Sequence, residues 1–163
     1  VYKRQVLMEP RTLAKMLDAL DISGNELVLD IGCGYGYSSA VIARMAEAVV
    51  AVDSDDERAA DTQTTLTEMG ADNVIVHAGV LAEGAPEHGP YDAITVQGGV
   101  EQVPQAILDQ LKEGGRIACL FMDGALGVVR IGYKIDGDVN WRFSFNAAAP
   151  VLAGFERETV FSL

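Results

Sequence analysis

A chain of 163 residues, 49% hydrophobic and 22% charged, is long enough for one domain with a substantial core, and none of its apolar runs approaches the roughly 18 to 20 residues of a membrane span. Twelve Lys and Arg against twenty-four Asp and Glu leave a formal net charge of −12. That charge repels a phosphate backbone, so nucleic acid is not an expected partner, and without an apolar span neither is a membrane.

The chain opens at Val1, and VYKRQ shows no apolar periodicity, so residues 1 to 5 read as a cut or artificial terminus. Pro10 suits a first helical turn, and Leu13, Met16, Leu17 and Leu20 recur at helical spacing, which predicts a helix over 9–20. LVLDI (27–31) is a strand-length apolar run, followed by glycines and then by SSAVIARMAEA (38–48) as a helix. The unit recurs: VVAVD (49–53) as strand, Asp55 to Met69 as helix, NVIVHA (73–78) as strand, YDAITVQ (91–97) as strand, Val103 to Leu111 as helix and GGRIACLFM (114–122) as a fifth strand. Strands alternating with helices predict parallel pairing with right-handed crossovers in a three-layer α/β sandwich. From Leu126 the pattern changes to a hairpin about Asp136-Gly137-Asp138 and a closing strand in GFERETVFSL, an antiparallel C-terminal edge on a mostly parallel sheet.

The first strand-to-helix turn holds the strongest signal. VLDIGCGYGY (28–37) sets Gly32, Gly34 and Gly36 at alternate positions directly after an apolar strand, a density that suits close approach to bare backbone. In an open α/β sheet this turn faces the ligand crevice. The dinucleotide fingerprint would require glycine at 37, where Tyr37 stands, and a P-loop would require Gly-Lys-Ser/Thr; neither is present, and residues 28 to 43 hold no Lys or Arg. Asp53, ending the second strand, is placed to accept from both hydroxyls of a ribose. A ligand with a ribose, no phosphate and a part lying against bare backbone fits S-adenosyl-L-methionine.

VLDIGCGYGY, AVDSD, YDAITV and LKEGGRI, in this order, resemble the Rossmann-like class I S-adenosylmethionine-dependent methyltransferases. Within them, MEP before a helix, PEHGPYDAI and VPQAILDQLKEGGR make the chain similar to the protein-L-isoaspartate O-methyltransferase family from about residue 5 to its end. The resemblance implies a single cofactor-binding methyltransferase domain over 1–163. It also implies that Gly32, Cys33 and Gly34 line the methionine end, Asp53 binds the ribose and Ser54 flanks the adenine, with Asp30, Gly36, Val80, Leu81 and Gln97 completing the cofactor set. The implied partner is a protein or peptide with an isoaspartyl carboxylate. Cys33 and Cys119 lack paired spacing and no signal-peptide pattern is present, so a reducing, cytoplasmic setting is expected. Cys33 is read as a small residue filling a tight loop ahead of a reactive thiol.

Two departures from the family stand out. Its Thr-Ile-Ser-Gln-Pro run, whose hydroxyls contact the substrate, reads Val6-Leu7-Met8-Glu9-Pro10 here. Glu9 beside a substrate carboxylate, about 4 Å away at an effective dielectric near 20, would cost roughly 4 kcal/mol, unless it points away. Val80 stands where the family carries an acid for the adenine amino group, a loss on the order of 1 kcal/mol. Methyl transfer to a carboxylate needs positioning and exclusion of water more than a base, so no catalytic residue is assigned. Gln97-Gly98-Gly99-Val100 matches neither the Asn/Asp-Pro-Pro-Tyr nor the Pro-Cys pattern of base methyltransferases. A weakly active or inactive cofactor-binding relative, or an enzyme with a different small-molecule acceptor, is the alternative. His77 and His88 lack metal-ligand spacing, so no metal site is expected. Trp141, Phe143 and Phe145 alternate at strand period as one packed face.

Overall fold

The alternating apolar residues of the strands assemble a seven-stranded sheet in a computed structural model that describes residues 7–159. In chain order the elements are α1 (Pro10–Leu20), β1 (Leu27–Ile31), α2 (Tyr37–Ala43), β2 (Ala48–Asp53), α3 (Asp56–Glu68), β3 (Val74–Ala78), β4 (Tyr91–Val100), α4 (Gln105–Leu108), β5 (Leu111–Asp123), β6 (Leu126–Ile135) and β7 (Asp138–Asn146). The strand order is β3-β2-β1-β4-β5-β6-β7. Strands β1 to β5 pair in parallel, and β6 runs antiparallel to both β5 and β7. This is the expected mixed sheet, and its chain reversal lies between β1 and β4, where ligand crevices of open α/β sheets form.

Period-two alternation splits the core between the two faces. Val28, Val49 and Ala51 pack with Leu13, Met16 and Leu17 of α1, Ile42 of α2 and Leu66 of α3 on one side. Leu29, Val50, Val52, Ile94 and Ile117 pack with Ile107 of α4, Leu152 and Phe155 on the other. Helix α1 turns its four leucine and methionine core positions inward and ends at Asp21 in the left-handed conformation, φ 49°. Arg116 of β5 secures that end, donating through Nε to Leu20 O at 2.8 Å and through Nη1 to Glu26 Oε1 at 2.7 Å. This guanidinium holds the Glu26 carboxyl below its ordinary range.

Four expectations are corrected. Helix α2 stops at Ala43, not 48, because the chain must turn at residues 44–47 for Ala48 to enter β2 beside Leu27. Helix α4 has only four residues, because Gln110 O accepts from Tyr91 N and Leu111 already pairs in the sheet. Residues 154–159 form no strand, since the chain crosses over the strand ends, with Gly99 N donating to Pro150 O and Leu152 N to Gly99 O; residues 160–163 lie outside the described residues. The three β7 aromatics do not share a face. A bulge between Phe143 and Phe145 puts Phe145 in the core under α1, leaves Phe143 exposed and turns Trp141 edge-on to Phe121 on the opposite side. The hairpin is as expected, with Asp136 and Gly137 both at positive φ, the pairing of a type I′ turn.

Candidate functional site

The turn after β1 is held from below. Gly32 N and Cys33 N both donate to Val52 O of β2, at 2.9 and 3.1 Å, and Gly36 N donates to Cys33 O. Gly32, Gly34 and Gly36 all have positive φ, 82°, 55° and 85°, a region that side chains disfavour. At Gly36 the crowding is internal: a Cβ there would stand 2.8 Å from Thr62 Cγ2 and 3.2 Å from Leu66 of α3. Thr62 also donates to Gly34 O at 3.0 Å. Gly36 therefore lets α3 close on the turn, while Gly32 and Cys33 line an open cavity.

Asp30 lies under this turn, fully buried. Its Oδ2 accepts from Ser38 and Ser39, both at 2.6 Å, and Oδ1 from Gln97 Nε2 at 2.9 Å. Burial raises its pKa above the ordinary carboxylate value, and the three hydrogen bonds oppose that rise. Every donor is neutral, so Asp30 binds the first turn of α2 to the end of β4. Cys33 is buried too, its Sγ 3.7 Å from Gly34 O, and burial together with the nearby Asp30 charge pushes its thiol upward. A thiol so held is a packing group rather than a nucleophile.

Asp53 closes β2 with only 1% exposure. Arg58, one turn into α3, grips it with two bonds, Nε to Oδ2 at 2.7 Å and Nη2 to Oδ1 at 2.6 Å, while Asp55 N donates to Oδ1 at 2.9 Å. Asp55 caps α3 by accepting from Arg58 N at 3.0 Å, which fixes where the arginine starts. Ser54 is exposed in the bend between them. On the neighbouring strand end, where Gly79 N donates to Asp53 O, Val80 is 56% exposed and Leu81 opens a one-turn 3₁₀ helix, Leu81–Glu83.

A cavity of about 430 Å³ opens against the turn, walled by Leu7, Met8, Leu13, Cys33, Tyr35 and Gln97, with Gly32 in its lining. It gathers Gly32, Cys33 and Gln97 of the expected set. Asp30 and Gly36 sit behind it as supports, and Asp53, Ser54, Val80 and Leu81 belong to the adjoining strand ends. Met8 is buried against the core, whereas Glu9 is exposed and lines a separate groove with Arg11, Thr12 and Lys15. Glu9 therefore points away from the cavity. Val6 lies outside the described residues.

Sequence reasoning missed Arg58, the Ser38-Ser39 pair, Thr62 and Leu152. Leu152 seats over Gly98, where a Cβ would come within 2.5 Å of its Cγ, and over Gly32 at 3.3 Å. The adjacent serines in the first turn of a helix after a buried aspartate were a readable signal. Arg58 was readable only with the Asp55 cap in view. Leu152 reaches the site by a tertiary crossing that carries no local pattern.

A family model described as protein-L-isoaspartate(D-aspartate) O-methyltransferase matches residues 1–126. Protein-L-isoaspartate O-methyltransferase 1 of Syntrophobacter fumaroxidans is 39% identical over 114 residues, 70% of this chain and 53% of the relative. Protein-L-isoaspartate O-methyltransferase 2 of Pelobacter propionicus is 38% identical over 133 residues, 78% of this chain and 59% of the relative. The chain thus spans a little over half the length of these curated relatives. A solved protein-L-isoaspartate O-methyltransferase superposes with a TM-score of 0.82 at 28% identity, over 89% of this chain and 47% of the other. A Plasmodium falciparum protein assigned to the same family, solved with S-adenosyl-L-homocysteine, superposes with a TM-score of 0.73 at 18% identity, over 93% of this chain and 78% of the other. Among the described residues no helix is long and apolar enough to cross a membrane.

Proposed function

This chain belongs to the protein-L-isoaspartate(D-aspartate) O-methyltransferase family, and from that premise we propose that its crevice binds S-adenosyl-L-methionine and directs methyl transfer to the carboxylate of an isoaspartyl peptide or protein. The observation that carries this reading is the cavity opening on Gly32 and Cys33 beside the carboxyl ends of β1 and β4. In that reading Gly32, Cys33 and Gly34 hold the methionine end and Asp53 accepts the ribose hydroxyls. Ser54, Val80 and Leu81 border the adenine, and Asp30, Gly36 and Gln97 keep the turn in shape. The turn fits such a ligand, since three of its residues lack a Cβ and residues 28 to 43 hold no Lys or Arg to mark a phosphate subsite.

The bound cofactor supplies an electrophilic methyl on a sulfonium. What the chain supplies is position and dryness. Leu7, Met8 and Leu13 give the cavity an apolar wall that excludes water from the transfer, and an acceptor carboxylate, ionised at neutral pH, needs no base. Met8, with Val6 two residues before it, stands where the family carries the hydroxyls that orient the substrate, so transfer is expected to be slow. The second reading, cofactor binding with little transfer, rests on Met8, whose side chain is buried in the core.

Transfer of labelled methyl to an isoaspartyl peptide and to its aspartyl twin, run beside calorimetry with S-adenosylhomocysteine, tests both readings. Binding with slow, isoaspartyl-selective transfer is expected. Binding without transfer selects the second reading, and no heat at millimolar ligand ends both.

A further inference from the structure

The fold brings together three metal-ligating side chains that the sequence keeps apart. His77 is the penultimate residue of β3, the edge strand, while Glu87 and His88 lie in a one-turn 3₁₀ helix, Pro86–His88, late in the connection to β4. One donor atom from each of the three lies within 4.8 Å of the others. His77 Nδ1 stands 3.2 Å from Glu87 Oε1, and the two imidazoles meet edge to face with centroids 6.1 Å apart.

These distances match a shared ion. With Zn–N and Zn–O lengths of about 2.0–2.2 Å, two donors on one tetrahedral ion are separated by roughly 3.3 Å, and the His77 to Glu87 spacing already has that value. Two imidazoles on one such ion place their centroids roughly 5 Å apart, so the rings need to close by about 1 Å. His88 is exposed and free to make that movement by rotating its side chain. His77 is the preset member. Its Nε2 edge lies over Gly79, where a Cβ would stand only 2.9 Å from Nε2, which leaves Nδ1 turned toward Glu87.

We propose that His77, Glu87 and His88 form a binding site for a divalent transition-metal ion of the zinc class, bridging the end of β3 to the β3–β4 connection. Two imidazoles and one carboxylate select zinc, nickel or copper over calcium or magnesium, which take oxygen ligands. The remaining coordination position is open to water. The ligands come from two segments, so the ion acts as a cross-link that ties down the connection carrying Val80 and Leu81, and it stabilises the folded chain by mass action. Cys33 and Cys119 are both buried, so neither thiol competes for the ion at the surface.

The test is titration of the full chain, without a histidine tag, with zinc sulfate alone, followed by calorimetry and by melting temperature. One ion bound per chain and a raised melting temperature are expected, with affinity at least tenfold lower in His88→Ala and in His77→Ala and no competition from millimolar calcium. His88 is exposed, so its variant keeps the fold and reads out the ligand directly. Unchanged zinc affinity in His88→Ala, equal binding of calcium, or no zinc binding at millimolar concentration would each overturn the proposal.

Discussion

The two strand-end aspartates of the crevice are buried equally and held in opposite ways. Asp30 receives three neutral donors, Ser38, Ser39 and Gln97, from elements that cannot leave without unfolding the turn. Asp53 receives a bidentate guanidinium from Arg58, a long side chain that retains 18% exposure on the surface of α3. A carboxylate satisfied by neutral groups of the core is an internal fastener. One satisfied by a partly exposed arginine is an exchangeable pair, because rotation of a single side chain frees its oxygens for another donor.

The largest expected effect comes from breaking the fastener. Asp30→Ala leaves two hydroxyls and an amide buried without their acceptor, at about 1–3 kcal/mol for each group that finds no other. Urea unfolding should show a loss of about 3 kcal/mol or more. Retention of full stability would mean that the serines rebond within α2 and that Asp30 holds nothing. Asp53→Ala tests the other half of the contrast. Its released arginine can turn to solvent, so stability should change less than for Asp30, while affinity for S-adenosylhomocysteine should fall by about 1.5–3 kcal/mol as charge-assisted bonds to the ribose are lost. Calorimetry on both variants separates the roles, and equal losses of affinity in the two would erase the distinction.

The same contrast explains how much of the molecule was legible. Strand β1 and helix α1 were readable almost to the residue, because continuous apolar runs and three- and four-residue spacing report local burial. The lengths of α2 and α4 were not, because the sheet decided them: Ala48 and Leu111 were taken by strand pairing, which overrides helical propensity. Asp53 is expected in the site from its place at a strand end and Asp30 from the family resemblance, yet their partners divide them. Those partners come from the first turns of α2 and α3 and from β4, at sequence distances where no periodicity connects donor to acceptor. The proximity of His77 to His88 was hidden for the same reason, since β3 and the 3₁₀ turn meet only in the folded chain.

The smallest expected effect is the most discriminating, because its two readouts have opposite signs. Asp53 already accepts three hydrogen bonds, two of them from Arg58, and a carboxylate has about four lone-pair positions. Two ribose hydroxyls cannot both be added unless the arginine lets go of at least one oxygen, so under the proposed ribose role ligand binding would exchange one set of charge-assisted bonds for another. Arg58→Gln removes the competitor. Asp53 then stands buried without its counter-charge, and the ligand-free protein should lose about 2 kcal/mol of stability, less than a fully buried pair would lose because Arg58 is partly exposed. The ribose hydroxyls become the carboxylate's best available donors, and affinity for S-adenosylhomocysteine should rise by about 1 kcal/mol, roughly fivefold. Denaturation and calorimetry on the one variant decide the matter. Lower stability with higher affinity marks Arg58 as a displaceable occupant of the ribose site, whereas lower stability with lower affinity would mean that Arg58 holds Asp53 in its binding position and stays there when the ligand arrives.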